Sequence, residues 1–389
     1  MSRPEIPPLP AFSLALPPRI SFGRGAASGA AVAIAGMGRR VLLVHSASVA
    51  FADQLARDLR ADGCEVVQET ARGEPQLSTL EGHLATHRAT PPQVVVGLGG
   101  GSALDLAKAL AALLPSPLPP LAHLEVVGEG RPLQAPPLPF VALPTTAGTG
   151  AEVTRNAVIG VEAHSRKVSL RDARMIADLV IVDPALTDGC PRPVTLASGL
   201  DAITQLIEPY LSSRANPFTD ALCAEAIGPA MAALMRLMEG EDPAARDRMA
   251  HAGMISGLAL ANSGLGAVHG LAGVAGGLSG AAHGALCGAL LVPVLRANRA
   301  ALEAAHRPTT RFDQVEHWIA TALGLPPAQA LEGLEAWMTR HGLPETPDLL
   351  EPALAPRTAH EAASSSSMKG NPTTLATATL VKILTARRP

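Results

Sequence analysis

Aromatic side chains are nearly missing from this chain: two Trp, one Tyr and six Phe make up 2% of its 389 residues. Single-stranded RNA and DNA are gripped by stacking bases on aromatic faces, so a platform of that kind is excluded. A charge excess is missing too. Lys and Arg number 31 against 34 Asp and Glu, a formal net charge of -3, and no extended basic run occurs. That removes the field a nucleic-acid partner requires. Cysteine is confined to Cys64, Cys190, Cys223 and Cys287, none in a CxxC pair. They read as small buried hydrophobes in a reducing compartment, without zinc or disulfide roles. Residues 1–18, broken by prolines and carrying Glu5, lack the unbroken apolar core of a secretory signal. The expectation is a cytoplasmic protein.

What is present in excess is a long stretch without charge, Gly257 to Leu295, holding His269 and His283 fourteen positions apart. Its length would span a bilayer. Its many glycines, two histidines and Asn262 argue instead for a helix pair buried inside the fold, and no membrane partner is expected. On one straight helix the two imidazoles would stand roughly 21 Å apart. A reversal at Gly276 and Gly277 brings them to one point, as a metal site needs. The other reading is two core histidines, each bonded to a backbone carbonyl.

A chain of 389 residues exceeds one ordinary core, and two domains are expected. The first half alternates apolar runs with helical patterns: Val41 to Val44, then Phe51 to Ala61; Val94 to Val96, then Ser102 to Leu114; and the runs Phe140 to Leu143 and Leu179 to Val182. That alternation predicts a mostly parallel sheet covered by helices. Beyond Cys190 strand signals nearly vanish. The boundary is placed near Asp188 to Pro193, giving an α/β domain over 1–190 and an all-helical domain over 191–389.

Two loops stand where strands end. In Val94-Val-Val-Gly-Leu-Gly-Gly-Gly-Ser-Ala-Leu-Asp-Leu-Ala-Lys108 a strand runs into Gly99, Gly100 and Gly101 and a helix begins at Ser102. Free amides and the positive end of the helix dipole favour a phosphate there, with Ser102 and Asp105 placed for a capping box. Ser102 takes the place of the last glycine of a GxGxxG fingerprint. The second loop, Leu143-Pro-Thr-Thr-Ala-Gly-Thr-Gly-Ala-Glu-Val-Thr154, offers hydroxyls suited to sugar and phosphate oxygens. Open α/β sheets bind ligands at the carboxyl ends of their strands. In the helical half, Asp201 and Gln205 share one helix face, and a carboxylate there needs a local partner or a cation shared with His269 and His283.

Together Gly99-Gly-Gly-Ser102 with Asp105 and Lys108, Pro144-Thr-Thr-Ala-Gly-Thr-Gly150 with Glu152, Asp183-Pro184, Gly199-Leu-Asp-Ala202, His269-Gly270 and His283-Gly284 resemble the iron-containing, group III alcohol dehydrogenases. The likeness covers nearly the whole chain in the same motif order. It implies a dehydroquinate-synthase-like fold, an α/β N-terminal dinucleotide-binding domain plus an all-helical C-terminal domain, with NAD(P) in the cleft and a divalent metal, Fe2+ or Zn2+, below it. The family's four metal ligands fall on Asp201, Gln205, His269 and His283, so an amide replaces one imidazole. A further histidine that members often carry is Gly273 here. The resemblance places Gly99, Gly100, Gly101, Ser102 and Asp105 at the pyrophosphate, and Thr145, Thr146 and Thr149 at phosphate, ribose or nicotinamide. Lys167 falls near the nicotinamide ribose, and Ser46 where NAD-preferring members carry an acid.

The implied activity is hydride transfer between NAD(P)H and a small aldehyde, ketone or alcohol, with His269, His283 and Asp201 as the catalytic set and a homodimer or larger homo-oligomer as the assembly. A missing acid at Ser46 removes repulsion against a 2′-phosphate, which admits NADPH beside NADH. Gln205 keeps three alternatives open. They are a zinc site of Asp201, His269 and His283 with one open position, a metal-independent reductase similar to the maleylacetate reductases, and a site without chemistry. A dehydroquinate-synthase-like lyase would need more basic residues than the helical motifs carry, and a non-catalytic nucleotide-binding protein would bind without turnover. Lys369, in the Ser364 to Pro372 loop, is a further candidate anchor for an anionic substrate.

Overall fold

A computed structural model of the chain describes residue 9 and residues 11–387. Its strands are β1 Ile20–Phe22, β2 Arg40–Ser46, β3 Glu65–Ala71, β4 Val94–Gly99, β5 Phe140–Pro144, β6 Asn156–Val161, β7 Arg166–Arg171 and β8 Leu179–Val182. Between them run α1 Ala30–Ala35, α2 Phe51–Ala61, α3 Leu77–His87, α4 Gly101–Leu113 and α5 Pro120–His123. Six strands form one parallel sheet in the order β1-β8-β5-β4-β2-β3, and β6 and β7 pair as a separate antiparallel hairpin. Helices cover both faces of the sheet, which is why the central strands are apolar throughout. All of β4 and β5 is buried.

Sheet order fixes where a ligand can enter. The chain leaves β2 for the edge strand β3, then crosses back to β4 on the other side of β2. The crevice between the carboxyl ends of β2 and β4 is therefore the topological switch point, flanked by Ser46 and Gly99.

The rest is helical: α6 Arg192–Leu211, α7 Pro217–Glu239, α8 Pro243–Ser263, α9 Ala267–Ser279, α10 His283–Ala304, α11 Thr310–Leu323, α12 Ala330–Arg340, α13 Thr346–Leu349, α14 Ala355–Ala362 and α15 Thr377–Thr385. The expected pairing of a parallel α/β half with a helical half is thus the architecture observed. Helix α6 lies at the centre of the helical half, in contact with α7, α8 and α10. Its residues Gly199 to Pro209 are all buried. By length and composition α7 and α10 are long and apolar enough to cross a membrane, but 50% and 67% of their apolar windows pack inside the fold.

Two local expectations are corrected. Gly276 and Gly277 do not break the chain; both lie within α9, and the reversal comes at Gly280, with φ 72°, before α10 begins at His283. Neither glycine is required by crowding, since added Cβ atoms would stand at ordinary contact, 3.5 Å from Lys167 Nζ and 3.6 Å from its backbone nitrogen. Nor does Ser102 cap α4. The helix starts at Gly101 behind Gly100 with no side-chain cap, and the Asp105 carboxylate accepts the backbone N–H of Val158 in β6 at 3.0 Å.

Candidate active site

The loop after β4 is built on glycine because three side chains crowd it. A Cβ at Gly99, where φ is 155°, would overlap Ser46 Oγ; at Gly100 it would stand 3.2 Å from Thr146 Oγ1, and at Gly101 2.9 Å from Thr149 Oγ1. The glycine turn and the threonine loop therefore lie against each other above the switch point. Their backbones are joined as well, with Thr145 N–H donating to the Gly99 carbonyl at 2.9 Å. Half-buried Ser102 follows at the second position of α4.

Beneath this floor Lys108 is buried, and its Nζ donates to the carbonyls of Ala151, Thr154 and Asn156 at 2.6, 2.9 and 2.9 Å. The lysine fixes the turn that leaves the threonine loop. Burial pushes Asp105 up to about 6, with Lys108 opposing. Lys167, on β7, faces α9 and pairs with Glu74 at 2.6 Å.

Across the cleft, α6, α9 and α10 bring their polar residues to one point. Asp201 stands on α6, His269 in the first turn of α9 and His283 at the first position of α10. Close helix contact makes this convergence possible, because a Cβ on Gly284 would overlap the Ala197 carbonyl and stand 3.3 Å from Asp201 Cβ. His269 Nε2 lies 3.3 Å and His283 Nε2 3.7 Å from Asp201 Oδ1, and the ring centroids are 5.4 Å apart. The reading of the two histidines as separate core residues bonded to carbonyls is set aside by this geometry.

Charge is handled unevenly here. Burial alone would raise Asp201, but the facing His283 and His269 outweigh it and hold its carboxyl below the ordinary range. Burial alone would lower His269, yet it is raised well above its ordinary value by the Cys287 sulfur, Glu208 and Asp201. Burial lowers His283. Even so, Asp201 Oδ1 and His269 Nε2 are buried with no hydrogen-bond partner among the described residues. Buried polar atoms left unsatisfied are costly, and a divalent cation bonded to both relieves that cost. The donor set of carboxylate, two imidazoles and a thiol suits zinc or iron.

Three further participants escape a reading from sequence. Glu208, two turns after Asp201, accepts from His269 Nδ1 at 2.6 Å, which leaves Nε2 to face Asp201. Cys287 has Sγ 3.6 Å from His283 Nε2, and ligand atoms of Asp201, His269, His283 and Cys287 all lie within 4.8 Å of one another. Burial pushes its thiol up to about 12. The spacing of four from His283 was the available signal. Ser256 on α8 is the third, as a partner of Gln205. Gln205 is buried and its Nε2 donates to the Thr149 carbonyl at 2.8 Å and Ser256 Oγ at 2.9 Å, while its Oε1 accepts no hydrogen bond among the described residues. Gly273 faces open space. Lys369 is exposed, and it is Ser365 and Met368 of that segment that reach Gly270, beside His269.

Comparison with known proteins gives the family of the chain. The profile described as iron-containing alcohol dehydrogenase matches residues 17–184, and that of the Fe-containing alcohol dehydrogenase family C-terminal region matches residues 195–387. Long-chain-alcohol dehydrogenase 1 of Geobacillus thermodenitrificans is 36% identical over 277 residues, covering 70% of this chain and 69% of its own. Probable alcohol dehydrogenase EutG of Escherichia coli is 40% identical over 229 residues, 58% of this chain and 57% of its own. Among solved structures, a 1,3-propanediol oxidoreductase superposes with a TM-score of 0.84 at 28% identity, covering 96% of this chain and 99% of that one. An iron-containing alcohol dehydrogenase from Thermococcus thioreducens gives 0.84 at 25% identity, covering 96% and 98%. With both halves matched in order and the fold shared end to end, the chain belongs to the iron-containing alcohol dehydrogenase family and is an oxidoreductase of the alcohol dehydrogenase class.

Proposed function

We propose that this protein transfers a hydride between NAD(P)H and a small aldehyde, ketone or alcohol in the cleft between the carboxyl edge of its sheet and helices α6, α9 and α10. In this reading residues 1–190 bind the dinucleotide and residues 191–389 hold the metal. The observation that carries it is the pair of buried atoms Asp201 Oδ1 and His269 Nε2, 3.3 Å apart and without a hydrogen bond, facing the point that His283 also faces. Asp201, His269 and His283 hold the ion, and Gln205 contributes at most the Oε1 of a neutral amide, a weak donor. A bound divalent ion supplies Lewis-acid polarisation of the substrate oxygen. The ion is Fe2+ or Zn2+.

The remaining work falls to the chain. Gly99, Gly100, Gly101, Ser102 and the start of α4 bind the pyrophosphate through backbone N–H groups, with Asp105 beneath them. Thr145, Thr146 and Thr149 would contact phosphate, ribose or nicotinamide and so orient a bound cofactor, geometry being the protein's contribution to a cofactor reaction. Lys167, on β7, would lie near the nicotinamide ribose. Ser46, at the end of β2, carries no charge against a 2′-phosphate, which supports NADPH beside NADH. Free cysteines support a reducing cytoplasmic setting. A homodimer is supported by the exposed Phe12, Leu14, Leu16, Ile20 and Phe22 leading into and along the edge strand β1.

Gln205 favours a second reading, a metal-independent reductase in which His269 or His283 delivers the proton to the substrate oxygen. Elemental analysis of protein purified without chelators, paired with NADH and NADPH oxidation by an aldehyde panel before and after metal depletion, separates the two. Bound iron or zinc with turnover lost on depletion and regained on reloading upholds the metal reading. Turnover indifferent to depletion replaces it with the second.

A further inference from the structure

The metal reading leaves the fourth ligand position open, since the residue standing where the family carries an imidazole is Gln205. Two observations move that position elsewhere. Gln205 spends its amide nitrogen on the Thr149 carbonyl and Ser256 Oγ, at 2.8 and 2.9 Å, and so ties the threonine loop to α6 and α8. Cys287, one turn beyond His283 on the same face of α10, is wholly buried, with its Sγ in the group of ligand atoms that lie within 4.8 Å of one another.

The separations decide the coordination type. Donors about 2.0–2.3 Å from a tetrahedral zinc ion stand roughly 3.3–3.8 Å from each other. Here His269 Nε2 to Asp201 Oδ1 is 3.3 Å, His283 Nε2 to Asp201 Oδ1 is 3.7 Å and Cys287 Sγ to His283 Nε2 is 3.6 Å. Three edges of such a tetrahedron are already drawn before any ion enters. Resting on the metal reading above, we propose that Cys287 Sγ is the fourth ligand and that Gln205 is a positioning residue for the threonine loop. The site is then Asp201, His269, His283 and Cys287, a donor set with one soft sulfur that selects zinc over iron, and a substrate oxygen would have to enter as a fifth donor, an expansion that zinc sites permit. Binding converts the thiol to a thiolate and releases its proton to solvent.

The test is titration of the metal-depleted, full-length protein with Co2+, a spectroscopic substitute for zinc, followed in the visible and near ultraviolet. The expected result is one Co2+ per chain with d–d bands of a four-coordinate ion and a thiolate-to-cobalt charge-transfer band. Cys287→Ser, nearly isosteric, should lose the charge-transfer band and weaken binding by about 10–100-fold or more; Gln205→Ala should keep the band. Visible d–d bands without charge transfer in the unaltered protein, or charge transfer that persists in Cys287→Ser, overturns the sulfur ligand while leaving the metal reading intact. Failure to bind either Co2+ or Zn2+ overturns both. A charge-transfer band lost in Gln205→Ala but kept in Cys287→Ser would return the fourth position to residue 205.

Discussion

Glu208 Oε2 accepts from His269 Nδ1 at 2.6 Å while Oε1 of the same carboxylate accepts the Val268 N–H at 2.6 Å. One side chain therefore anchors the first turn of α9 and sets the tautomer of the imidazole on it. Such outer partners orient a ligating histidine and raise its basicity. Glu208→Gln retains an acceptor for Val268 but can present its amide to Nδ1, shifting the ring proton to Nε2. The expected outcome is a loss of about 10–100-fold in metal affinity with the fold retained, measured by competition with a chelating dye. Unchanged affinity would mean that His269 does not ligate.

A second prediction concerns the contact between α6 and α10. No side chain fits at position 284, because a Cβ there would overlap the Ala197 carbonyl. Gly284→Ala must push α10 away from α6 and displace His283, its neighbour. Overpacking of this kind costs about 1–3 kcal/mol, and the metal affinity should fall with it. Denaturation midpoints and metal titration of the same variant check both effects; full affinity in a destabilised protein would separate His283 from the ion.

Gly273 gives the opposite expectation. Nothing stands within 4 Å of a Cβ at that position, inside α9, so alanine meets no neighbour and removes a backbone freedom that helix formation must otherwise restrict. Gly273→Ala should raise stability by about 0.5–1 kcal/mol, read from a denaturant melt. A loss of stability would mean that the space is filled in solution.

The cofactor preference turns on Ser46. A carboxylate there would accept hydrogen bonds from an unmodified adenosine ribose and repel a 2′-phosphate. Ser46→Asp should shift the ratio of kcat/KM values toward NADH by at least about tenfold, on the order of 1.4 kcal/mol. An unchanged ratio would place the adenosine end away from the carboxyl end of β2.

Much of this architecture was legible in the sequence where one physical signal acted alone. Val94 to Val96 and Phe140 to Leu143 are buried on both faces, and their unbroken apolar runs said so. Strand β3, Glu65–Ala71, carries Glu65, Gln68 and Glu69 because it lies at the sheet edge, and that polarity hid it. The β6–β7 hairpin was obscured likewise by Arg166, Lys167 and Arg171. In the site, His269 and His283 were conspicuous as isolated imidazoles in an uncharged run. Cys287 was not, since a buried cysteine in an apolar helix is ordinary and its spacing of four from His283 is a weak signal until the distance in space, 3.6 Å, is known. The reversal was misplaced for a related reason: a glycine pair can turn a chain or sit inside a helix, as Gly276 and Gly277 do in α9, and spacing alone does not tell which applies.

Glu152 offers the clearest dependence on pH. It is buried in the turn after Gly150, and burial pushes its carboxyl up to about 7, against the pull of Lys108. An acid whose folded pKa exceeds its unfolded value near 4.3 binds its proton more tightly when folded. Its contribution to stability is complete below about pH 4.3 and is lost as pH rises through about 7. Lys108 is pulled down by burial to about 8; its penalty is constant below that pH and is relieved only above it, whereas buried Asp105, pushed up to about 6, loses stability in the same window as Glu152, so the Glu152 share is read as the difference from a variant that lacks it. Glu152→Gln keeps the shape and cannot ionise. Thermal midpoints of the two proteins at pH 5, 6, 7 and 8 should therefore diverge, the unaltered protein falling relative to the variant as the carboxyl ionises. Parallel curves would mean that Glu152 is already charged at pH 5, held so by Lys108, and the turn beneath the threonine loop would then rest on a buried ion pair.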